Sequence, residues 1–192
     1  MTATAYWMNW AAAAWVVFLA YWLISARQLK AVKRREPYGE RAVYLLLMVS
    51  AYSSVFNKAL SVGWLGRRFV PDSARIAAVG AAITFAGIAL AIWARRHLGQ
   101  NWSATVTLKE GHELIRSGPY GRIRHPIYTG MLLAFAGTAL TLGEYRGLLG
   151  LAIAASTFFF KAKKEERYLV QEFGERFQEH LRHTGMFLPK LT

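Results

Sequence analysis

Hydrophobic and polar positions follow one another along the chain in long blocks. Five stretches carry at most one charge each: 6–26, 42–65, 76–94, 126–143 and 147–160. About 20 residues of helix cross the hydrocarbon core of a bilayer, and only the last stretch, with 14, is short for a crossing. Because just Glu144, Tyr145 and Arg146 separate the last two, we predict that they form a tight helical hairpin. The pattern predicts an all-α integral membrane protein, a bundle of five transmembrane helices.

The composition agrees with a membrane protein and excludes several kinds of site. Hydrophobic residues make up 54% of the chain and charged residues 18%, below the roughly 25% usual in soluble domains. The absence of cysteine excludes disulfides, cysteine-ligated metals and cysteine nucleophiles. No two glycines are separated by a single residue and no GxxxxGK[ST] occurs, so the sequence contains neither a Rossmann fingerprint nor a P-loop.

The net charge of +13 is distributed unevenly over the predicted connections. One side of the predicted bundle holds 19 Lys and Arg residues, in segments 27–41 and 95–125 and in the tail from Lys161. The connections on the opposite side of the membrane hold 4. Basic residues stay in the cytoplasm, so we expect the N-terminus outside and the C-terminus inside. That orientation requires an odd number of crossings, as five crossings provide. Basic clusters between membrane stretches do not indicate nucleic-acid binding.

No repeat, low-complexity segment or linker divides the chain, so we expect one membrane domain over 1–192. Gly80, Thr84, Gly87 and Ala91 share one side of the third stretch. Small residues at this spacing allow membrane helices to approach closely, which favours a compact bundle.

The connection 95–125 is too long for a minimal link between helices. Its SGPYG sequence at 117–121 predicts a turn, and Pro126 suits the first turn of the fourth helix. His125 is therefore expected at a helix N-terminus on the cytoplasmic boundary. On these residues alone, a turn followed by a solvated histidine is the favoured interpretation.

The tail carries an apolar ridge with an i+4 spacing, formed by Leu169, Phe173, Phe177 and Leu181. Glu165 and Glu166 precede this ridge and approach the apolar face at the membrane boundary, where an unpaired charge is costly. Either the neighbouring Lys163, Lys164 and Arg167 neutralise the carboxylates, or the carboxylates bind a cation or hydroxyl groups. The local sequence leaves both alternatives open.

Together the two polar regions form a recognisable combination. LGQNWSATVTLKEGHELIRSGPYGRIRHPIYTG, followed after a hairpin by EERYLVQEFGERF and a late Pro189, resembles the isoprenylcysteine carboxyl methyltransferase family and its phospholipid N-methyltransferase relatives. The resemblance covers about 95–189. It implies that 1–94 provides three N-terminal spans and that 95–192 is a methyltransferase-like catalytic half.

The resemblance implies an S-adenosylmethionine pocket on the cytoplasmic side, built from the 95–125 connection and a C-terminal helix, without a metal. The implied cofactor-binding residues are Gly99, Gly118, Pro119, Tyr120, His125, Tyr128, Glu165 and Glu166. The implied acceptor is a lipophilic or prenylated molecule from the bilayer, foremost a carboxylate of the isoprenylcysteine type. Arg124 is the first candidate to orient that carboxylate, and Arg182 is the second.

Some positions depart from the family pattern and leave the acceptor open, including the choice between O- and N-methylation. His183 stands where the family usually has Arg, and Phe177 and His180 stand where tyrosines are common. The alternatives are a phospholipid N-methyltransferase, an NADPH-dependent reductase of the sterol type, and a non-enzymatic scaffold or small transporter. His97 and His112 lack the spacing of a zinc site, so no metal is expected.

Overall fold

A computed structural model of the chain describes residues 3–25, 38–99 and 114–190. Six helices fill most of these ranges: α1 (Ala3–Ser25), α2 (Tyr38–Phe56), α3 (Ala74–Leu98), α4 (Pro126–Leu142), α5 (Tyr145–Phe173) and α6 (Glu175–His183). Over the described ranges, the only strand-like pairings are two isolated bridges. The predicted all-helical class is confirmed, as is the hairpin of α4 and α5.

The seam between α3 and α4 is the closest helix contact of the bundle. A Cβ added to Gly80 would lie 2.5 Å from the backbone nitrogen of Thr141, and one added to Gly130 would lie 2.6 Å from that of Ala91. These pairs run in opposite directions along the two helices, which are therefore antiparallel. Since lipid gives no hydrophobic force between helices, small residues permit the close packing that holds them together. The predicted small-residue stripe on α3 lies in this seam.

A buried polar network joins α1 to this seam. Trp15 Nε1 donates a 3.0 Å hydrogen bond to Thr138 Oγ1, which lies 3.2 Å from Thr84 Oγ1. Each threonine also donates to a carbonyl of its own helix. The polar atoms are satisfied inside the bundle, so α1, α3 and α4 share one core.

The contacts of two buried arginines show in which direction each helix runs. Arg95 donates 2.8 Å hydrogen bonds to the carbonyls of Ser25 and Gly99, joining the C-terminal ends of α1 and α3. At the opposite end, Arg146 of α5 donates to the Val55 carbonyl of α2 at 2.8 Å. Helices α1, α3 and α5 therefore run one way, and α2 and α4 run the other. The start of α4 and the far end of α5 consequently meet at one end of the bundle.

Among the described helices, two are long and apolar enough to cross a membrane, at Thr4–Ser25 and Ala74–Leu98, and α4 is a shorter apolar helix. The second helix ends at Phe56 and not at the predicted 65. Asn57 stops it, because its side chain accepts a 3.0 Å hydrogen bond from Ala59 N and caps a short 3-10 turn. Lys58 is exposed in that turn.

The predicted tail helix is divided in two by Gly174. Its φ of +51° lies in the left-handed region, so α5 ends there and α6 begins in a new direction. Residues 100–113 of the 95–125 connection, with His112, lie outside the described residues.

Candidate active site

The start of α4 is tied to residues 184–187, a segment that we call the strap. Arg124 N donates to Gly185 O at 2.9 Å, and His125 N donates to Met186 O at 3.1 Å. One turn into α4, Thr129 Oγ1 donates to Phe187 O at 2.7 Å. The strap, which directly follows α6, thus holds the motif RHPIYTG in place.

Five side chains meet beside the strap and form the carboxylate cluster. They come from the two residues before α4, from its first turn and from α5: Arg124, His125, Tyr128, Glu165 and Glu166. Glu166 Oε1 accepts a 2.7 Å hydrogen bond from Arg124 Nε and lies 3.3 Å from His125 Nε2. Glu165 Oε1 accepts a 2.6 Å bond from the Tyr128 hydroxyl, and its Oε2 lies 3.4 Å from His125 Nδ1. Arg124 also donates to the Thr184 carbonyl. The imidazole therefore sits between two carboxylates.

Each charged group of the cluster shifts the pKa of its neighbours toward their charged forms. Burial lowers the pKa of His125, but the hydrogen bonds and charges of Glu165 and Glu166 raise it by more, to above the ordinary 6.5. Burial raises the pKa of both carboxyl groups, yet the bond to His125 and the nearby positive charges bring each below the usual 4.5. The charged form of the histidine and those of the two carboxylates thus stabilise one another.

Aromatic rings close the apolar side of the cluster. The rings of His125 and Tyr128 are stacked at 5.5 Å with an interplanar angle of 9°. Tyr128 in turn stacks on Phe158 of α5 at 4.9 Å and 6°. This three-ring stack fixes the orientation of the imidazole.

The predicted turn is a 3-10 turn at Gly118–Gly121 that packs on the end of α3. A Cβ on Gly118, whose φ is +56°, would lie 2.7 Å from the His97 ring, so a side chain there would be both strained and crowded. Tyr120 is buried, and burial together with the charge of Glu165 raises its pKa. Pro119 is buried in the same turn.

Gly99 caps α3 with a φ of +55° and lies at this end of the bundle. Arg182 is exposed on α6, and none of the contacts in the described part of the chain links its side chain to the carboxylate cluster. The structure thus brings Arg124, but not Arg182, together with the predicted cofactor residues.

Local sequence patterns do not indicate the strap, Phe158 or Lys161 as parts of the site. Lys161 Nζ lies 5.8 Å from the centroid of the Tyr128 ring. The strap pairs residues 60 positions apart, and the only local signal for it is a turn-forming Gly185 before Pro189. Across the described ranges, no group of three or more His, Asp or Glu residues is arranged to hold a metal ion.

Comparisons with known proteins identify relatives for the part of the chain that contains the carboxylate cluster. The family model described as phospholipid methyltransferase matches residues 76–176. The protein-S-isoprenylcysteine O-methyltransferase of Schizosaccharomyces pombe is 31% identical over 94 residues, which cover 47% of this chain and 40% of the relative. The methanethiol S-methyltransferase of Pseudomonas deceptionensis is 35% identical over 74 residues, covering 38% of this chain and 27% of the relative.

A solved structure shares the fold. The eukaryotic intramembrane Ras methyltransferase, isoprenylcysteine carboxyl methyltransferase, matches with a TM-score of 0.51 and 21% identity, over 80% of this chain and 53% of that chain. The match to the yeast relative spans less than half of that protein's length. The family model covers more than half of the present chain and includes both His125 and the two glutamates. The chain therefore belongs to the phospholipid methyltransferase family.

Proposed function

We propose that the protein is an integral membrane methyltransferase that uses S-adenosylmethionine and acts on a lipophilic acceptor, foremost a carboxylate of the isoprenylcysteine type. The observation that carries the proposal is the carboxylate cluster, in which Glu165 and Glu166 flank a buried His125 at the start of α4. Family membership supports the reaction class, and the fold supports the membrane setting. The names of the relatives support more than one kind of acceptor, so the acceptor is tested separately below.

The donors and acceptors at the site fit this cofactor. Carboxylate oxygens accept strong hydrogen bonds from ammonium and hydroxyl groups, which suits the amino group and ribose of S-adenosylmethionine. His125, the N-cap of α4, makes no side-chain capping bond, so the first-turn amides suit the cofactor carboxylate. When bound, the sulfonium supplies an electrophilic methyl group.

The protein's own residues then have distinct tasks. Tyr128 and His125 hold Glu165 in one orientation, and the stacked rings exclude water from the acceptor side. Arg124 is held by Glu166 and Thr184, so its planar guanidinium is fixed where an incoming carboxylate can be oriented. A carboxylate acceptor is already ionised when it arrives. Alignment of the acceptor with the methyl group and exclusion of water therefore matter more in this reaction than a strong base.

We infer from the alternating helix directions and the charge distribution that all five long helices cross the membrane, with the N-terminus outside. Because the chain has no cysteine, single cysteines report sidedness without background. Val62→Cys lies in the exposed connection between α2 and α3, and Lys163→Cys lies on the exposed face of α5. An impermeant maleimide applied to intact cells should label Val62→Cys only. Labelling of both positions, or of Lys163→Cys alone, would contradict the orientation.

The cofactor is tested by thermal unfolding of the detergent-purified protein with S-adenosylhomocysteine or NADPH. A ligand that binds the folded state raises the melting temperature by mass action. We expect stabilisation by S-adenosylhomocysteine alone and a strong reduction of it in Glu165→Gln, with Glu172→Gln as the exposed control on the same helix. Stabilisation by NADPH instead would favour a reductase, and stabilisation by neither would favour a scaffold.

The acceptor is tested with tritiated S-adenosylmethionine and three compounds: S-farnesyl-N-acetylcysteine, phosphatidylethanolamine and methanethiol. We expect transfer to the farnesylated carboxylate. Arg124→Lys should reduce that turnover more than it reduces cofactor binding, because Lys lacks the planar pair of donors. Transfer to the amine or thiol alone would replace the carboxylate acceptor in the proposal.

A further inference from the structure

A groove between α2 and α5 runs along the part of α5 that precedes the carboxylate cluster in the chain. It has a volume of about 330 Å³ and is walled by Tyr44 and Leu47 of α2 and by side chains of α5 from Ala152 to Phe160. The hydroxyl of Thr157, one of the two polar residues on the α5 wall, donates to the carbonyl of Ile153 at 2.7 Å. The groove therefore offers its occupant a largely apolar surface.

Lys161 directly follows Phe160, the last α5 residue that lines the groove. Its Nζ lies 5.9 Å from the ring centroid of Tyr44, which lines the groove, and 5.8 Å from that of Tyr128, which bonds to Glu165. The side chain is half-buried at the first turn of α5 beyond its apolar part. The ammonium group thus lies about equally close to one ring of the groove, Tyr44, and to one ring of the cluster, Tyr128.

The other nearby cation is placed differently. Arg124 bonds to Glu166 and to the strap carbonyl of Thr184, on the side of the cluster nearer α6. Lys161 instead adjoins the groove wall, and its flexible stem allows the charge to follow a group at the membrane boundary. A partly desolvated cation attracts an anionic head group and repels a cationic one.

We propose that Lys161 selects the acceptor by its charge: an apolar chain occupies the α2–α5 groove, and an anionic head group pairs with the Lys161 ammonium beside Tyr128. The inference rests on the proposed methyltransferase function and adds a specificity-determining residue to it. In the transfer, a carboxylate oxygen forms the new C–O bond while the S–CH3 bond breaks and its electron pair returns to sulfur. The products are a neutral ester and a neutral thioether, and no proton is released.

The test measures binding to the full-length protein in detergent, saturated with S-adenosylhomocysteine. The two probes are S-farnesyl-N-acetylcysteine and its primary amide, which has the same chain and no charge. We expect Lys161→Met to weaken binding of the carboxylate probe about tenfold, and to leave binding of the amide unchanged. Lys161→Arg should restore the preference for the carboxylate. Lys163→Met, an exposed position on the same helix, serves as the matched control.

Three results would overturn the inference. Lys161→Met could weaken binding of both probes equally, or weaken binding of neither, or the wild type could fail to bind the carboxylate probe. The groove is tested by Ser156→Trp, which fills it, against Ala89→Trp at an exposed site on α3. Only Ser156→Trp should weaken binding of both farnesyl probes, and an unchanged affinity would exclude the groove as their site. Failure of the wild type to bind S-adenosylhomocysteine would instead refute the proposed function, so the two failures are distinguishable.

Discussion

The Tyr128 hydroxyl donates a 2.6 Å hydrogen bond to Glu165 and joins α4 to α5 at one end of the bundle. Tyr128 lies three residues after His125, so one face of a single helical turn presents both partners of the carboxylate. Its ring stacks on His125 as well. The position of Glu165 therefore depends on Tyr128 in two ways: directly through the hydroxyl and indirectly through the ring that stacks on His125.

Tyr128→Phe separates these two contacts, because the ring remains and the hydroxyl is lost. Hydrogen bonds to charged groups contribute about 1.5–3 kcal/mol, so we expect S-adenosylhomocysteine to bind roughly tenfold or more weakly by calorimetry. Tyr145→Phe, at the other end of the bundle, is the matched control and should leave the affinity unchanged. An unaltered affinity in Tyr128→Phe would show that the hydroxyl does not serve the cofactor.

Glu166→Gln should destabilise the fold more than Glu165→Gln does. Glu166 is the carboxylate that both Arg124 and His125 contact, and its side chain is only 10% exposed. Removing one partner of a buried ion pair leaves the other charge uncompensated and costs about 3 kcal/mol. Thermal unfolding in detergent measures the difference. Equal melting temperatures for the two variants would contradict the assignment of Glu166 as the main partner of Arg124.

The stability of the protein should pass through a maximum in mildly acidic solution. The raised pKa of His125 contributes stability that is complete below the ordinary value of 6.5 and is lost as the pH rises through the folded-state pKa. The lowered pKa values of Glu165 and Glu166 contribute stability that is complete above 4.5 and is lost as the pH falls through their folded-state values. The cluster is therefore most stabilising between about pH 4.5 and 6.5.

Melting curves from pH 4 to 9 test this dependence. His125→Gln should remove the decline on the alkaline side, whereas His183→Gln at an exposed position of α6 should retain it. An alkaline decline that persists unchanged in His125→Gln would mean that another group causes it.

Gly137→Ala should be strongly destabilising, because an added Cβ would lie 2.5 Å from both Gly80 O and Thr84 N across the α3–α4 seam. Overpacking of this kind costs about 1–3 kcal/mol. Gly39→Ala in the first turn of α2 is the control, since nothing lies within 4 Å of its added Cβ. The control should be neutral or slightly stabilising in the same melting experiment. A tolerated Gly137→Ala would indicate that the two helices can separate at little cost.

The parts of the fold that the sequence predicted correctly are those encoded by local patterns. The hairpin follows from two apolar stretches separated by three residues. The close-packing face of α3 follows from glycines and other small residues at helical spacing, although the sequence did not name α4 as its partner. The end of α2 was placed wrongly, because an apolar run continues past Phe56 although the Asn57 side chain caps a turn there. Hydropathy alone does not register such a cap.

The candidate site was predictable only in part for a similar reason. Motif resemblance supplied His125, Tyr128 and the two glutamates, and the structure places them in contact. Local residues gave no indication that the Arg124 side chain is already engaged by Glu166, or that Lys161 faces two aromatic rings. Those relationships depend on the relative rotation of α4 and α5, which no pattern within one helix records.

The strap also has a consequence for how the molecule assembles. Backbone pairing of residues 122–125 with Gly185 and Met186 closes a chain segment of about 60 residues. The α4–α5 hairpin closes through only two residues, Gly143 and Glu144. Long closures carry a larger entropic cost and form later than local ones. The hairpin is therefore expected to form first, and the cluster becomes complete only when the strap docks. Folding of this protein is thus expected to separate helix pairing, an early event, from completion of the carboxylate cluster, a late one.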